Sequence, residues 1–402
     1  MRLIGAASTV FAFVFMLVLS GANRTVGANP HDGREIFRYD TFGDEQLWTD
    51  VLRMHEVVQT VSPETALNKL GLKVDVQALP RSVTKALEDG LVDLSDPAVT
   101  RQLLTLNAVV GVIGTVSNDQ ITSLGITCAL CHSTVDDSFM PGIGRRLDGW
   151  PNLDLNPGLI LSLSPTDQLD AATKLEFANW GPGKYDARHH AFNGTGFVLL
   201  NGITPSVPSV IPPAYGLNGV GFETFTGDGP ISYWNAYVGI GQMGGKGNFS
   251  DPRINLTIAQ TEDLVTPKLK ALLEYQLRLR APEPPKDSFD KFAARRGEQV
   301  FHDVGCATCH VPPTYTDVRQ GPAGSPLLHS PTAVGTDPLY AQRSATKMYR
   351  TTPLRALWQH APYFHDGSAA DLAAVVSHYE SVLPLTLTAQ QRADLIEFLK
   401  SL

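Results

Sequence analysis

The chain has 402 residues with 35 Gly and 28 Pro, too long for one hydrophobic core and rich enough in breakers to expect long loops. Its formal charge is −8, and about −10 once Arg2 and Arg24 leave with a leader. An acidic surface of this kind disfavours nucleic acid or an anionic membrane as partner.

Arg2, the unbroken apolar run Val10 to Leu19 and the small residues Val26-Gly27-Ala28 read as a secretory signal peptide over residues 1–28. The run is short of the ~20 residues a spanning helix needs. An uncleaved anchor over Leu3 to Leu19 is the alternative, and only then would a membrane be a partner. The expected location is the periplasm or another site outside the cytoplasm.

Residues 29–106 read as a helical N-terminal segment. Leu47, Val51, Met54 and Val58 fall at helical spacing, and Ser62-Pro63-Glu64 opens a further helix with Pro in its first turn. His55, beside that apolar stripe, is expected on the surface or capped, and is not read as a ligand.

All four cysteines lie in two copies of one motif, Cys128-Ala129-Leu130-Cys131-His132 and Cys306-Ala307-Thr308-Cys309-His310. CxxCH is the attachment signature of c-type haem. The two thiols add to the porphyrin vinyl groups, and the adjacent His becomes the proximal iron ligand. A zinc or thioredoxin-like CxxC is the competing reading. It is disfavoured because each pair stands alone and runs directly into His. Two covalently bound haem c groups are therefore expected, attached outside the cytoplasm in agreement with the leader. With the acidic surface, this points to a soluble redox partner carrying a basic patch.

The first haem domain is assigned to residues 107–281. It closes with a helix in which Thr266 is the N-cap, Pro267 is N1, and Leu269, Leu272, Leu273 and Leu277 are the apolar set. A Pro-rich linker, 282–287, follows. The second domain, 288–402, opens with Phe289, Phe292, Gly297 and Phe301 on a helix before Cys306. It ends with a helix begun by the capping box Thr388-Ala389-Gln390-Gln391 and carrying Leu395, Ile396, Leu399 and Leu402.

A Gly-x-x-x-Phe helix, then CxxCH, a long loop and a terminal amphipathic helix resembles the class I cytochrome c fold. The stretches Tyr349 to Leu357 and Ala361-Pro362-Tyr363-Phe364-His365-Asp366-Gly367-Ser368 narrow the likeness. This block resembles the C-terminal haem domain of the bacterial di-haem cytochrome c peroxidase and MauG-like family, over residues 289–402. In the first half the resemblance is architectural. There Pro212-Pro213-Ala214-Tyr215-Gly216-Leu217 and Phe225-Thr226-Gly227-Asp228-Gly229 echo Pro353 to Leu357 and Tyr363 to Gly367, as an internal duplication would. The fold class is thus mainly α: two class I cytochrome c-like haem domains, loop-rich, after a helical N-terminal segment.

The resemblance implies a distal ligand for the second haem on the helix after His365, at Tyr379, with His378 beside it. Adjacent helical residues point about 100° apart, so one of the two faces the iron. Met348 competes, since single-haem class I cytochromes place their Met in that loop. For the first haem the candidates are Met243 and, as a loop neighbour, Met140; His189 and His190 are expected to be solvated. Glu176, Glu223 and Gln242 are possible proton-moving groups for peroxide cleavage. Trp150, Trp180 and Trp234 are aromatics available for electron transfer. Arg145 and Arg146 are available to haem propionates. The function expected is electron transfer by an exported di-haem c-type cytochrome of the peroxidase-like superfamily. The alternative is reduction of hydrogen peroxide with the first haem as peroxide site. A MauG-like or rubber-oxygenase-like oxidoreductase is a further alternative.

Overall fold

The computed structural model describes residues 32–200, 205–322 and 324–402, so the leader assigned to residues 1–28 lies outside the described residues. The chain is mainly helical, and its described strands pair only as two-stranded ladders. One large hydrophobic core draws on residues from Ile36 to Leu272, and a second on residues from Val300 to Leu399. A small aromatic cluster of Tyr340 and Tyr349 packs with Phe225 of the first half.

The second core forms where two helices cross. Lys291–Asp303 is capped by Asp290, whose carboxylate accepts the N–H of Phe292 and Ala293. Ala389–Ser401 begins with the Thr388/Gln391 capping box anticipated from the sequence. The axes meet at Gly297, where a Cβ would lie 2.0 Å from the Asp394 carbonyl oxygen. Only glycine permits that approach. Phe301 and Phe398 stack edge-on at 5.2 Å one turn further along, and Arg296 forks onto Asp394 at 2.6 and 2.9 Å.

The first half repeats this crossing. Helix Gly33–Tyr39, capped by Asp32, lies across helix Leu269–Gln276. A Cβ on Gly33 would lie 2.0 Å from the Ala271 carbonyl oxygen, and Phe37 meets Tyr275 at 5.6 Å. Both crossings read Gly-x-x-x-Phe. Residues of the 29–106 segment therefore share one core with residues after 107. Phe301 precedes Cys306 by five positions, whereas Phe37 precedes Cys128 by 91.

The long connection in the first half is a string of short elements. The spacing of Leu47, Val51, Met54 and Val58 suggests one helix, but the chain makes a π-helical turn, Gln46–Val51, and a separate helix, Met54–Val58. Arg53, at φ 54°, breaks them apart. Pro63 does start a helix, with Ser62 capping it. The antiparallel hairpin Val112–Ser117/Gln120–Ile126 then delivers the chain to Cys128. At the far end, Thr266 lies within a 3-10 turn and is not the cap. Asp263 accepts the N–H of Val265 and Thr266, and the α-helix starts at Leu269.

The internal repeat has a definite register. Residues 210–229 and 350–369 match at a constant offset of 140, with left-handed backbone at Gly216 and Ala356, Thr224 and Phe364, and Gly227 and Gly367. Each loop is closed by one bridge, Glu223 to Gly229 and Tyr363 to Ala369. Phe225 therefore corresponds to His365, two positions from the Tyr363 pairing suggested by the sequence. The two loops also exchange hydrogen bonds. Val210 N–H donates to the His365 carbonyl at 2.7 Å, and Arg350 N–H donates to the Phe225 carbonyl at 2.9 Å.

Candidate haem-binding sites

In the first motif the backbone approach is fixed by Gly111, which at φ 76° comes so near that a Cβ would lie 2.1 Å from Leu130 N. Thr127 N–H donates to the Gly111 carbonyl at 3.0 Å, which sets the start of the Cys128 turn. His132 Nδ1 sits 3.1 Å from the Pro212 carbonyl. Burial pushes the His132 imidazole down to about 4, with that carbonyl working against the shift. Burial pushes the Cys128 and Cys131 thiols up to about 12.

The second motif is built the same way. Gly305, at φ 86°, turns the chain into the 3-10 turn Cys306–Thr308. His310 Nδ1 lies 3.0 Å from the Tyr315 carbonyl. Burial lowers its pKa, while backbone hydrogen bonding from Tyr315 and Thr352 opposes the shift. The two carbonyls differ in origin: Pro212 lies in the repeat block, whereas Tyr315 follows His310 by five positions.

This donor set suits haem c. All four thiols are free, and each imidazole is oriented through Nδ1 by a carbonyl, which fixes the tautomer of a ligating His. A second donor set overlaps the second motif. Ligand atoms of Cys309, Asp317 and His329 lie within 4.8 Å of one another, with His329 Nε2 2.9 Å from Asp317 Oδ2. Sequence spacing gives no hint of it. It competes with thioether formation for Cys309.

Tyr379 packs edge-on to Phe364 at 6.0 Å. Burial pushes its hydroxyl up to about 12, and the sulfurs of Cys306 and Cys309 add to the shift. His378 is turned elsewhere, its Nε2 lying 2.8 Å from the Val334 carbonyl. Met348 lies in a turn stapled by Thr346, whose hydroxyl bonds both its N–H and its carbonyl. Met243 is buried in the first core, with its carbonyl accepting Trp48 Nε1–H at 3.0 Å. Met140 pairs with Ile143 through backbone bonds.

His189 and His190 depart from the expected solvated loop. His189 is 1% exposed, with both ring nitrogens buried and unpartnered, and Glu176 Oε2 stands 3.9 Å from its Nε2. Gln242 is buried: its Oε1 accepts the Tyr185 hydroxyl at 2.8 Å, and its Nε2 donates to the His190 carbonyl at 3.0 Å. Tyr185 in turn feels Cys131, and burial raises its pKa far above the usual phenol range. Glu223 is committed to an ion pair with Arg350 at 3.0 Å. Trp150 touches both halves, edge-on to Tyr215 at 6.3 Å and to Trp358 at 5.8 Å. Trp180 packs on Phe177 and Tyr185, and Trp234 lies under the Arg188 guanidinium. Arg145 is exposed and paired with Asp136; Arg146 is buried 3.2 Å from Asp75 and faces the Tyr39 ring. His55 stays near the surface, 3.9 Å from Glu56.

No family model matches the chain. Over 157 residues it is 31% identical to the methylamine utilization protein MauG of Methylorubrum extorquens, an alignment covering 33% of this chain. The chain spans 42% of the length of that relative. Among solved structures it aligns with hydrazine synthase of Kuenenia stuttgartiensis at 24% identity, covering 35% of this chain and 57% of the other, TM-score 0.25. It also aligns with a MauG-like protein associated with microbial copper homeostasis at 19% identity, covering 35% and 54%, TM-score 0.27. Neither superposition is close enough to define the fold of this chain. Among the described residues no helix is long and apolar enough to cross a membrane.

Proposed function

We propose that this chain is an exported di-haem c-type oxidoreductase, similar to MauG and the di-haem peroxidases, whose primary work is electron transfer with a soluble redox partner. The observation that carries the reading is the pair of CxxCH motifs in which each imidazole is held at Nδ1 by a backbone carbonyl. Cys128, Cys131 and His132, and Cys306, Cys309 and His310, would each hold a haem c, which would supply one-electron chemistry. The carbonyls of Pro212 and Tyr315 hold the two rings at Nδ1 and would fix the tautomer in which each imidazole binds iron. We assign the first haem unit to residues 32–281, with 40–126 inserted between its first helix and its CxxCH. The second unit is 288–402. Both are read as class I cytochrome c-like.

Tyr379 is the residue that would ligate the second iron, supported by the electrostatic influence of Cys306 and Cys309 on its hydroxyl. An anionic oxygen ligand there stabilises ferric and higher-valent iron. Peroxide reduction is the second reading. Buried Gln242, which accepts the Tyr185 hydroxyl and donates to the His190 carbonyl, is the amide we assign to orient that hydroxyl near the first site, with Tyr185 as the proton-bearing group.

Denaturing mass spectrometry of protein matured in a cytochrome c-competent host should show two retained haems. Tightly bound zinc at Cys309, Asp317 and His329, with one haem or none, would overturn the reading. A redox titration followed by peroxide addition to the half-reduced protein separates the carrier from the peroxidase. Two low-spin irons inert to peroxide support the carrier, whereas a high-spin iron that turns over peroxide supports the enzyme. Tyr379→Phe should move the second haem's spectrum and potential, and Met348→Leu should leave both unchanged.

A further inference from the structure

We propose that residues 40–126, which have no counterpart before the second CxxCH, build a binding site for an apolar molecule of diatomic size, dioxygen being the class a haem protein would use. The choice of dioxygen rests on the di-haem reading above; the site itself does not.

A cavity of about 60 Å³ lies within this segment. All of its lining residues come from between Trp48 and Ile126, except Leu130, Ile160 and Leu163. Leu130 stands between the two cysteines of the first CxxCH, so one wall of the cavity belongs to the attachment turn itself. Gly111 pins that wall, since its backbone packs directly on Leu130. Leu163, 42% exposed, places one side of the lining at the protein surface.

The lining presents carbon alone, and its polar groups are turned away. Thr100 Oγ1 donates to the Val61 carbonyl at 2.6 Å and so offers the cavity its methyl group. Trp48 Nε1 donates to the Met243 carbonyl at 3.0 Å and offers its ring. A water molecule needs two to four polar partners, and none is presented, so water is disfavoured. Size narrows the guest. The space is several times the ~10–15 Å³ that a cavity needs to admit one water and well below the ~150 Å³ of a cavity that takes benzene. A gas atom or a diatomic fits, and a ring does not. In the second half only four residues separate Phe301 from Cys306, which leaves no chain to build such a site. The first centre is thus the one given an apolar antechamber.

Xenon is the probe. The haem-loaded protein, crystallised and pressurised, should hold xenon against Leu103, Leu124 and Leu130, and Leu103→Phe should abolish that density while haem content and Tm hold. Should Leu103→Phe fail to fold, Leu124→Phe makes the same test. Ordered water in the cavity, or xenon bound only elsewhere, would overturn the site. For dioxygen, reoxidation of the fully reduced protein by dissolved gas should slow several-fold in the filled variant. An unchanged rate with xenon bound would overturn dioxygen as the guest. A protein that lacked haem yet took up xenon would refute the di-haem reading and leave the site standing.

Discussion

Gly297 and Gly33 are the positions at which a single methyl group has the largest predicted effect. Gly297→Ala or Gly33→Ala would drive a Cβ into a carbonyl oxygen of the crossing helix, and helix backbone cannot yield as a side chain tip can. Each should destabilise by about 1–3 kcal/mol or more in denaturant titration of the haem-loaded protein. His190 supplies the pH counterpart. Burial, with His189 beside it, depresses its pKa to about 4, against attraction from Glu176, Asp186 and Asp170. The unfolded chain therefore binds a proton that the folded chain refuses between pH 6.5 and 4. Stability should rise with pH across that window, and His190→Gln should flatten the slope measured by thermal melts at fixed ionic strength. The burial of this His pair was not legible in the sequence. Its neighbours Asp186 and Arg188 look like a solvated turn, yet both are buried, and Asp186 meets Arg343 157 positions away.

The legible elements are those whose signals are local. The Thr388 capping box and the Pro63 start are set by residues within one turn, and Gly297 could be seen because its CxxCH follows at once. The matching helix Gly33–Tyr39 carries the same Gly-x-x-x-Phe, but 91 positions from Phe37 to Cys128 hide the relation. The repeat block was visible in its Gly and Pro content. Its register was not, because left-handed backbone falls on Thr224, Phe364 and Ala356 as well as on glycine. If the inserted segment is an independent addition to a cytochrome-like unit, its contacts should be the first to open. Hydrogen exchange should then be faster over Arg81–Glu88, whose amphipathic face leaves Leu91 beside it exposed, than over Gly33–Tyr39. Equal protection would show that the insertion is as integral as the helix crossing.

Across the whole molecule the two halves are joined by charge as well as by backbone. Glu223 of the first half and Arg350 of the second are both buried and pair at 3.0 Å, and Asp186 and Arg343 repeat the arrangement at 2.8 Å. Arg350→Met should cost about 3–5 kcal/mol, because it strands a buried carboxylate. Adding Glu223→Gln should recover part of that loss in a double-mutant cycle. The exposed linker around Glu283 to Lys286 should be nicked by protease, yet the halves should still elute together by size exclusion. The exchange of hydrogen bonds between Val210 and His365, and between Arg350 and Phe225, is reciprocal. One patch meets a second patch on the other unit, and the second meets the first in return, as happens between identical subunits about a two-fold axis. The chain is built as a homodimer would be if its subunits were tethered end to end. Tethering lifts the requirement that the two halves stay alike, and here only the first half carries the long connection 40–126.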